Sequence, residues 1–405
     1  MIILLNVPEI PFSSIPCCIT IIEPILTKDM NVKRYTKERE FMEREFYYSK
    51  DGTKVMVIAP IGDLEPITDI MNRHKYQYDN LLVIGNGFDL NLGLPTSYRN
   101  FVESHIFNKM YEKRIQEKRD NEERNQVKMK PSLIDFLYGK KFYERWYDIE
   151  QALLEYISKR PDGSFVNNVE EDKRDYVFVC ESLVEYLASL FNTGNDLEQS
   201  KMMEKSSAGR LLQRMSSERN IVYSFNYTPI YLIINAIYGN ASLETIRVHG
   251  KIEDKTIFKG NLKDNAIILG VETNDMNDIA PGYSFLLKSN NLAYRSSNIA
   301  IDLLNTRNVI FFGHSLNQMD FGYFEEYFKF LSSNADKERS LIIITKNESS
   351  RLSLLDNLRK MGISVRDIFA HTTVKIIHTD NLTSEKSEDS ILFNELLTIV
   401  EKAYL

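Results

Sequence analysis

The sequence predicts an α/β protein whose core is a parallel β-sheet. The first observation behind this is a set of short apolar runs typical of buried strands, at 81–84, 221–225, 245–248, 266–269, 308–312, 340–344 and 373–377. The second is that helix-compatible stretches, notably 321–331 and 350–361, separate several of these runs. Strands that alternate with helices favour parallel pairing through right-handed crossovers.

The length of the chain predicts more than one domain. At 405 residues it exceeds the size at which a single core stops growing, so we expect a main domain with appended or inserted parts. Within the first eighty residues, Asp51 and Gly52 lie between two β-rich runs, which predicts a hairpin. The patterns indicate an N-terminal extension, a Rossmann-like domain in two segments and a helical insertion, at 1–80, 81–110 with 216–405, and 111–215.

The predicted insertion shows helical spacing of its apolar residues. Two sets each fall on one helical face, namely Trp146, Ile149, Leu153 and Ile157, and then Val179, Leu183, Leu187 and Leu190. Residues 111–130 are nearly all charged or amide-bearing, with both signs mixed. We therefore interpret that stretch as a solvated helix or loop rather than a surface for nucleic acid.

The composition is that of an ordinary globular protein. Charged residues make up 26% and hydrophobic residues 43%, and the net charge of -7 gives no overall field that attracts nucleic acid. Cys17, Cys18 and Cys180 have neither the number nor the spacing of a structural zinc site or a disulfide framework, so we expect no zinc and a cytoplasmic location. Because Glu9, Glu23 and prolines interrupt the apolar start, we expect no membrane span.

A glycine-containing turn follows the first predicted strand. The segment I-G-N-G-F-D-L-N-L-G-L-P at 84–95 passes from an apolar strand to helix-compatible residues. Such a strand, turn and helix N-terminus offer close backbone approach and unpaired N–H groups to the pyrophosphate of a dinucleotide. Gly85 and Gly87 supply the approach, and a side chain at Gly87 is expected to collide with the ligand. The third glycine of the usual fingerprint is absent at its normal spacing.

The wider segment resembles the nucleotide-binding motifs of sirtuins. The run G-N-G-F-D-L-N-L-G-L-P is similar to the sirtuin pattern G-A-G-x-S-x-x-S-G-I-P, with Asp89 in place of the serine and Gly93 in register. Three later segments resemble sirtuin motifs in the same order, S-F-N-Y-T at 224–228, R-V-H-G at 247–250 and F-F-G-H-S-L-N-Q-M-D at 311–320. The resemblance implies a sirtuin-like, Rossmann-like core that binds NAD.

The same resemblance implies roles for particular residues. Asn226 is the counterpart of the asparagine at the nicotinamide ribose, and His249 of the histidine at the ribose hydroxyl groups, so both are the expected catalytic residues. The expected NAD-binding residues are Gly85, Asn86, Gly87, Phe88, Asp89, Gly93, Tyr227, Gly313, His314, Ser315 and Asp320.

The motif sequences resemble those of the bacterial AbiH-type abortive-infection family even more than those of sirtuins. That family carries I-G-N-G-F-D-L-x-x-G-L-x-T-x-Y and a later G-H-S-L-x-x-x-D, and both are present, with Thr96, Tyr98 and Asp320 in place. The segment W-Y-D-I-E-Q-A-L-L-E-Y at 146–156 also resembles a helix of this family. The resemblance spans 81–405 and implies a function in defence against bacteriophage.

Each candidate residue also has a structural interpretation. Asn226 and Asp89 equally suit helix caps, and a buried histidine such as His249 is more often structural than catalytic. His314 suits a turn held by its own side chain, and Asp320 suits a cap for the following helix. Their position among the motifs favours the functional interpretation for His249 above the other two.

Two carboxylates of the predicted insertion belong to neither set. Asp148 and Glu150 lie on a predicted helix, where exposed carboxylates are normal, and we interpret them as structural, with a place at the border of a cleft as the alternative. A metal-dependent nuclease would need a carboxylate cluster, for which the chain offers Asp89, Asp148, Glu150 and Asp320.

The leading hypothesis is an NAD glycohydrolase that releases nicotinamide and ADP-ribose. The alternatives are a non-catalytic nucleotide-binding sensor or adaptor, and the nuclease. A protein deacylase is disfavoured, because the zinc ribbon usual in those sirtuins requires four cysteines. The partners we expect are NAD or a related nucleotide, a phage trigger or partner defence protein, and further copies of the chain in a homo-oligomer.

Overall fold

The structure is a computed structural model with two compact units, Met1–Lys75 and Tyr76–Leu405. The residues that it describes are 2–3, 31–34, 42–48, 54–60, 76–126, 130–142, 148–191, 196–215, 219–228, 230, 233–234, 243–250, 267–273, 277, 279–290 and 298–402.

The first unit contains an antiparallel sheet of four strands, in the order β1-β4-β3-β2. The strands are β1 Ile2–Ile3, β2 Asn31–Arg34, β3 Met42–Tyr48 and β4 Lys54–Pro60. β3 and β4 pair with Tyr48 opposite Lys54, which confirms the predicted hairpin. Its predicted turn residues, Asp51 and Gly52, lie outside the described residues.

The second unit is built on a parallel sheet of six strands, which confirms the predicted fold class. The strands are β5 Tyr78–Ile84, β6 Asn220–Ser224, β7 Glu244–Arg247, β8 Thr306–Phe312, β9 Asp336–Thr345 and β10 Thr372–His378. Their order is β10-β9-β8-β5-β6-β7, so the chain starts at the centre, winds to one edge and then returns to wind to the other. This is the doubly wound, Rossmann-like order, in which ligands bind where the winding direction reverses, here between β5 and β8.

One predicted strand is wrong. The run 266–269 forms no strand among the described residues, and Ile267 makes only an isolated bridge with Gly250. Ile267 and Leu269 pack into a helical cluster rather than against the sheet. Because an apolar run reports burial and not the kind of element that is buried, the pattern could not separate these cases.

Helices cover both faces of the sheet. Alternate residues of β5 point to opposite sides, with Leu81 and Val83 in one apolar cluster and Leu82 and Ile84 in the other. The first cluster is completed by α9 Ile299–Leu304, α10 Phe321–Ser333, α11 Glu348–Lys360 and α12 Val365–His371. The second is completed by α1 Asn86–Asn91, α8 Ser207–Arg214 and α13 Glu388–Lys402. The helices predicted at 321–331 and 350–361 are confirmed as α10 and α11.

Five of the remaining helices that the structure describes share a third apolar cluster, and together they form the helical layer. They are α2 Tyr98–Glu103, α3 His105–Asn125, α4 Leu133–Lys140, α5 Ile149–Ile157 and α6 Val169–Ser189, all between β5 and β6 in the chain. The sixth, α7 Asp196–Lys205, contributes Met203 to the second cluster instead. Ile149, Leu153 and Ile157 are buried on one face of α5, whereas Trp146 lies outside the described residues. The charged stretch 111–130 lies mostly within α3, which confirms the helical interpretation.

A buried ionic network joins these helices. Arg114 of α3 donates through Nε to Asp175 of α6 at 2.7 Å and also pairs with Glu171 one turn earlier. Both Arg114 and Asp175 are buried, so each charge depends on the other for compensation. The network fixes α3 against α6 inside the helical layer.

Three asparagines fix the register of the central strands. Asn80 of β5 donates to Asn220 Oδ1 at 2.7 Å, and Asn308 of β8 donates to Asn80 Oδ1 at 3.0 Å. In the register these residues are direct neighbours, which brings the carboxyl ends of the three strands level.

None of the helices that the structure describes is long and apolar enough to cross a membrane.

Candidate functional site

A cleft of about 530 Å³ opens at the carboxyl ends of the central strands. Ile84 at the end of β5 is paired with both Ser224 and Phe312, so the residues that follow all three strands meet at one edge. The size falls within the range of small-molecule sites, roughly 300–1,000 Å³. Its position at the reversal between β5 and β8 is where a doubly wound sheet binds its ligand.

Most of the predicted site residues line this cleft. Those that do are Gly85, Asn86, Gly87, Asp89, Asn226, Tyr227, His249, Gly313, His314, Ser315 and Asp320. Phe88 and Gly93 are not among the lining residues. Phe88 is fully buried against Phe312, with the two ring centres 5.2 Å apart. Gly93 has a φ of 85° just after α1, where it allows the chain to leave the helix.

The glycines of the two turns contact each other. A Cβ at Gly87 would lie 2.7 Å from Cα of Gly313, and a Cβ at Gly85 would lie 2.6 Å from Cα of His314. Gly313 has a φ of 64°, and its own Cβ would lie 2.4 Å from the carbonyl carbon of Gly87. The glycines are therefore required for the close contact of two backbones, which the sequence interpretation attributed to the ligand.

The backbone N–H groups of the first turn are also used inside the protein. Gly85 donates to Phe312 O at 3.1 Å, Gly87 donates to Gly313 O at 3.0 Å, and Phe88 donates to Gly85 O at 2.9 Å. The expectation that this turn presents these N–H groups unpaired to a pyrophosphate is therefore wrong. Buried N–H donors need an acceptor, and here backbone carbonyl oxygens of the protein supply it and hold the two turns together.

Asn226 is held in one orientation by the first turn. Its Nδ2 donates to Gly85 O at 3.0 Å and to Asp89 Oδ1 at 2.8 Å. Because a carbonyl oxygen only accepts, the first of these bonds identifies the amide nitrogen. Both amide hydrogens are committed, and among the described residues no donor bonds to Oδ1. The side chain therefore offers an acceptor to a ligand in the cleft.

Asp89 lies beneath Asn226 as its support. Its second carboxyl oxygen accepts from Thr228 Oγ1 at 2.9 Å, and the side chain is almost fully buried. Burial raises the pKa of Asp89 to about 7, against the opposing effect of the bonds from Thr228 and Asn226. Asp89 does not act as the simple helix cap that its position also suggested, because its side chain bonds across to the segment after β6.

His249 follows β7 and contacts two charged groups. Its Nε2 lies 3.2 Å from Asp320 Oδ1 and 3.4 Å from Lys288 Nζ. With a proton on Nε2 the ring donates to the carboxylate and leaves Nδ1 as an acceptor, whereas without that proton Nε2 accepts from the Lys288 ammonium. A histidine that is oriented by a carboxylate has the arrangement of a general base.

Lys288 and Asp320 form the charged centre behind His249. Burial opposes ionisation of Asp320, but the Lys288 ammonium and His249 outweigh it and hold the pKa of the carboxyl well below its usual range. Burial also opposes the charge on Lys288, and Asp320 and Glu150 outweigh it and raise the pKa of the ammonium. Asp320 makes no side-chain cap for α10, because its carboxylate bonds to these groups instead.

His314 holds its own turn. Its Nδ1 accepts from the backbone N–H of Leu316 at 3.0 Å, and its Nε2 lies 3.6 Å from Asp320 Oδ2. Burial lowers the pKa of His314 to about 4, against the opposing effect of Asp320. The ring is therefore neutral near pH 7 with its acceptor nitrogen occupied, and it does not serve as a base.

The helical layer supplies another part of the cleft wall. Asp148 and Glu150 both line the cleft, which is the alternative that the sequence left open, and Glu150 is only 4% exposed, so it is not an ordinary exposed helix carboxylate. Glu150 accepts from Lys288 Nζ at 2.9 Å and from the Tyr227 hydroxyl at 3.1 Å. Burial raises the pKa of Glu150, while Lys288 favours its ionised form.

Three further residues near the site were not among the predicted site residues. Tyr98 lines the cleft, and burial together with the Glu150 carboxylate raises the pKa of its hydroxyl. Thr228 lines it as well and bonds to Asp89. Lys288 is buried behind His249. The sequence signal for it was its position directly after the mostly apolar run 283–287, because a buried lysine requires a carboxylate partner.

The carboxylates proposed for a nuclease do not form one cluster. Asp89 bonds to Asn226 and Thr228, whereas Asp320 and Glu150 bond to Lys288. In the part of the chain that the structure describes, no group of three or more His, Cys, Asp or Glu side chains is arranged to hold a metal ion. No observation of the structure favours the nuclease.

The fold and the site together define an α/β protein of the doubly wound class, with a cleft at the position where such sheets bind ligands. A family model described as "Bacteriophage abortive infection AbiH" matches residues 81–340, and the chain belongs to this family. Membership indicates a role in abortive infection, a defence against bacteriophage. The matched range contains both glycine turns, Asn226, His249 and the charged centre. No curated protein matches the chain.

Proposed function

We propose that this protein binds NAD in the cleft and hydrolyses it to nicotinamide and ADP-ribose. The observation that carries the proposal is the convergence of Asn226 and His249 in one cleft at the reversal of the sheet. Each side chain is oriented by a buried carboxylate, Asp89 for the first and Asp320 for the second. Asn226 and His249 are the two residues that the sirtuin-like motifs assign to the nicotinamide ribose.

The reaction asks little of an acid catalyst. The bond between C1′ of the ribose and the ring nitrogen breaks, and its electron pair neutralises the cationic nicotinamide ring. Positive charge develops on the ribose, and the oxygen of a water molecule bonds to C1′. The protein has to position this water, stabilise the developing charge and accept one proton.

Asn226 suits the first requirement, positioning of the water, and His249 suits the last, acceptance of the proton. The free Oδ1 of Asn226 is an acceptor, and it would orient a ribose hydroxyl or the attacking water. Nδ1 of His249 would accept the proton of the water, while Asp320 stabilises the imidazolium that forms. The two residues follow neighbouring strands, β6 and β7, whose ends are level in the register.

The cleft offers neutral groups to the phosphates of NAD. Because the turn uses its own N–H groups, the pyrophosphate would rest on the side chains of Asn86, Ser315 and Ser350 beside the glycine turns. No lysine or arginine lies among the described lining residues. We therefore assign most of the binding energy to the nucleosides rather than to the phosphates.

The test is nicotinamide release by four purified variants. Asn226→Ala and His249→Ala should each lower turnover by about a hundredfold or more, which is the usual contribution of a general base. Because cooperating catalytic residues are not additive, the double variant should be little worse than either single variant. His371→Ala is the matched control, since His371 lies on α12 and does not line the cleft.

Each result bears on the proposal. Full turnover in His249→Ala would refute the role of the base, provided that thermal unfolding shows a folded protein. A wild type that binds NAD without cleaving it, alone or with lysate of phage-infected cells, would favour the sensor. Degradation of DNA by the purified protein would favour the nuclease.

A further inference from the structure

The proposed reaction gives no task to the Glu150 carboxylate. It belongs to the helical layer, whereas Asn226 and His249 follow strands of the sheet. It lines the same cleft and is almost fully buried there. Burial of a carboxylate costs free energy, so its place at the cleft calls for a compensating interaction or a function.

The start of α5 fixes the position of Glu150. Asp148 caps the helix, because its carboxylate accepts from the backbone N–H of Glu150 at 2.9 Å and of Gln151 at 3.1 Å. Glu150 therefore lies in the first helical turn, and Ile149 and Leu153 anchor the same helix in the apolar cluster. The cap and the apolar packing together fix the backbone that carries the carboxylate.

Two bonds orient the carboxylate itself. Oε2 accepts from Lys288 Nζ at 2.9 Å, and Oε1 accepts from the Tyr227 hydroxyl at 3.1 Å. Tyr227 follows Asn226 directly, which couples Glu150 to the segment that carries the amide. Lys288 also lies 3.3 Å from Asp320 Oδ1, so one ammonium lies between two carboxylates.

The charge of this centre favours a cationic partner. Contacts of 2.9 Å and 3.3 Å with the Lys288 ammonium favour the ionised forms of Glu150 and Asp320, and the three buried groups then carry a net negative charge. Such a site stabilises positive charge more strongly than bulk water does. In the proposed reaction the positive charge that develops on the substrate in the transition state is on the ribose.

We propose that Glu150 is a third catalytic residue, whose carboxylate lies against the ribose and stabilises its developing positive charge. This inference rests on the proposed hydrolysis of NAD. As the bond from C1′ to the nicotinamide nitrogen breaks, the pair of electrons leaves with nicotinamide and Glu150 faces the cationic ribose. The proton of the attacking water passes to His249, so Glu150 exchanges no proton and is unchanged at the end.

The test compares Glu150→Gln with Glu155→Gln. Glu155 lies on the same helix, is more than half exposed and pairs with Lys140, so it controls for the loss of a carboxylate from α5. We expect Glu150→Gln to lower the turnover number by about a hundredfold or more, the cost of losing one electrostatic stabiliser. NAD affinity should change by less than about tenfold, and Glu155→Gln should match the wild type.

Glu150→Asp is the second variant, because it keeps the charge and shortens the side chain. It should recover part of the activity that Glu150→Gln loses, and thermal unfolding of each variant shows that the chain is folded. Wild-type turnover in a folded Glu150→Gln overturns the role of Glu150 and leaves the NAD hydrolysis intact. A folded Glu150→Asp that is as inactive as Glu150→Gln also counts against a role of the charge. A wild type that releases no nicotinamide overturns the hydrolysis, and this inference with it.

Discussion

The contact between the two glycine turns gives a sharp prediction for Gly87→Ala. The added Cβ would lie 2.7 Å from Cα of Gly313 and 3.1 Å from its carbonyl oxygen. Both are backbone atoms of the neighbouring turn, so one turn has to move away from the other. Overpacking of this kind costs about 1–3 kcal/mol, and we expect the free energy of unfolding to fall by that amount in protein without any ligand.

The assay is urea unfolding of the wild type, Gly87→Ala and Gly322→Ala. Gly322 lies in the first turn of α10, where an added Cβ meets nothing within 4 Å. Alanine there should be neutral or stabilise by up to about 1 kcal/mol, because glycine is the poorer helix former. If Gly87→Ala were as stable as the wild type, the interlocked turns would be refuted. Because Gly87 is also needed for the contact with Gly313, loss of NAD binding by a Gly87 variant would not show that Gly87 contacts the pyrophosphate.

Two further predictions concern buried charges. Because burial raises the pKa of Asp89 from 3.8 to about 7, its contribution to wild-type stability is present at low pH and is lost as the pH rises from about 4 to 7, by up to about 4 kcal/mol. Asp89→Asn should remove this loss, and equal pH slopes in urea titrations of the two proteins would contradict the shift. Arg114→Met should cost about 3–5 kcal/mol, because it leaves Asp175 buried without its main partner. Arg99→Met, in an exposed pair with Glu103, should cost less than about 1 kcal/mol, and thermal unfolding of both arginine variants checks the two costs.

The sheet and the strand-end residues could be predicted from the sequence for a physical reason. In a parallel sheet the strands are buried on both faces, so they are continuous apolar runs, and the residue that follows each run lies at a common edge. Asn226 and His249 each follow such a run, and the resemblance to sirtuin motifs assigned both to the nicotinamide ribose. The run 266–269 has the same apolar character without being a strand, and its packing in the helical layer was not encoded in the pattern.

The other part of the cleft could not be predicted in the same way. Glu150 and Lys288 are 138 residues apart, and nothing in the helical pattern around Glu150 indicates which neighbour its polar side chain meets. The glycine motif was also ambiguous, because close approach of a ligand and close approach of another backbone require the same residue. Only the position of Gly313 against Gly87 separates the two cases.

The most direct test of NAD hydrolysis by this AbiH family protein is product analysis of the wild type. Purified protein is incubated with NAD, alone and with lysate of phage-infected cells, and nicotinamide and ADP-ribose are quantified by chromatography. We expect equal amounts of the two products to appear as NAD disappears, and we expect both to form at least about a hundredfold more slowly with the Asn226→Ala, His249→Ala double variant. Intact NAD in both conditions, with protein that is folded, would contradict the proposed hydrolysis.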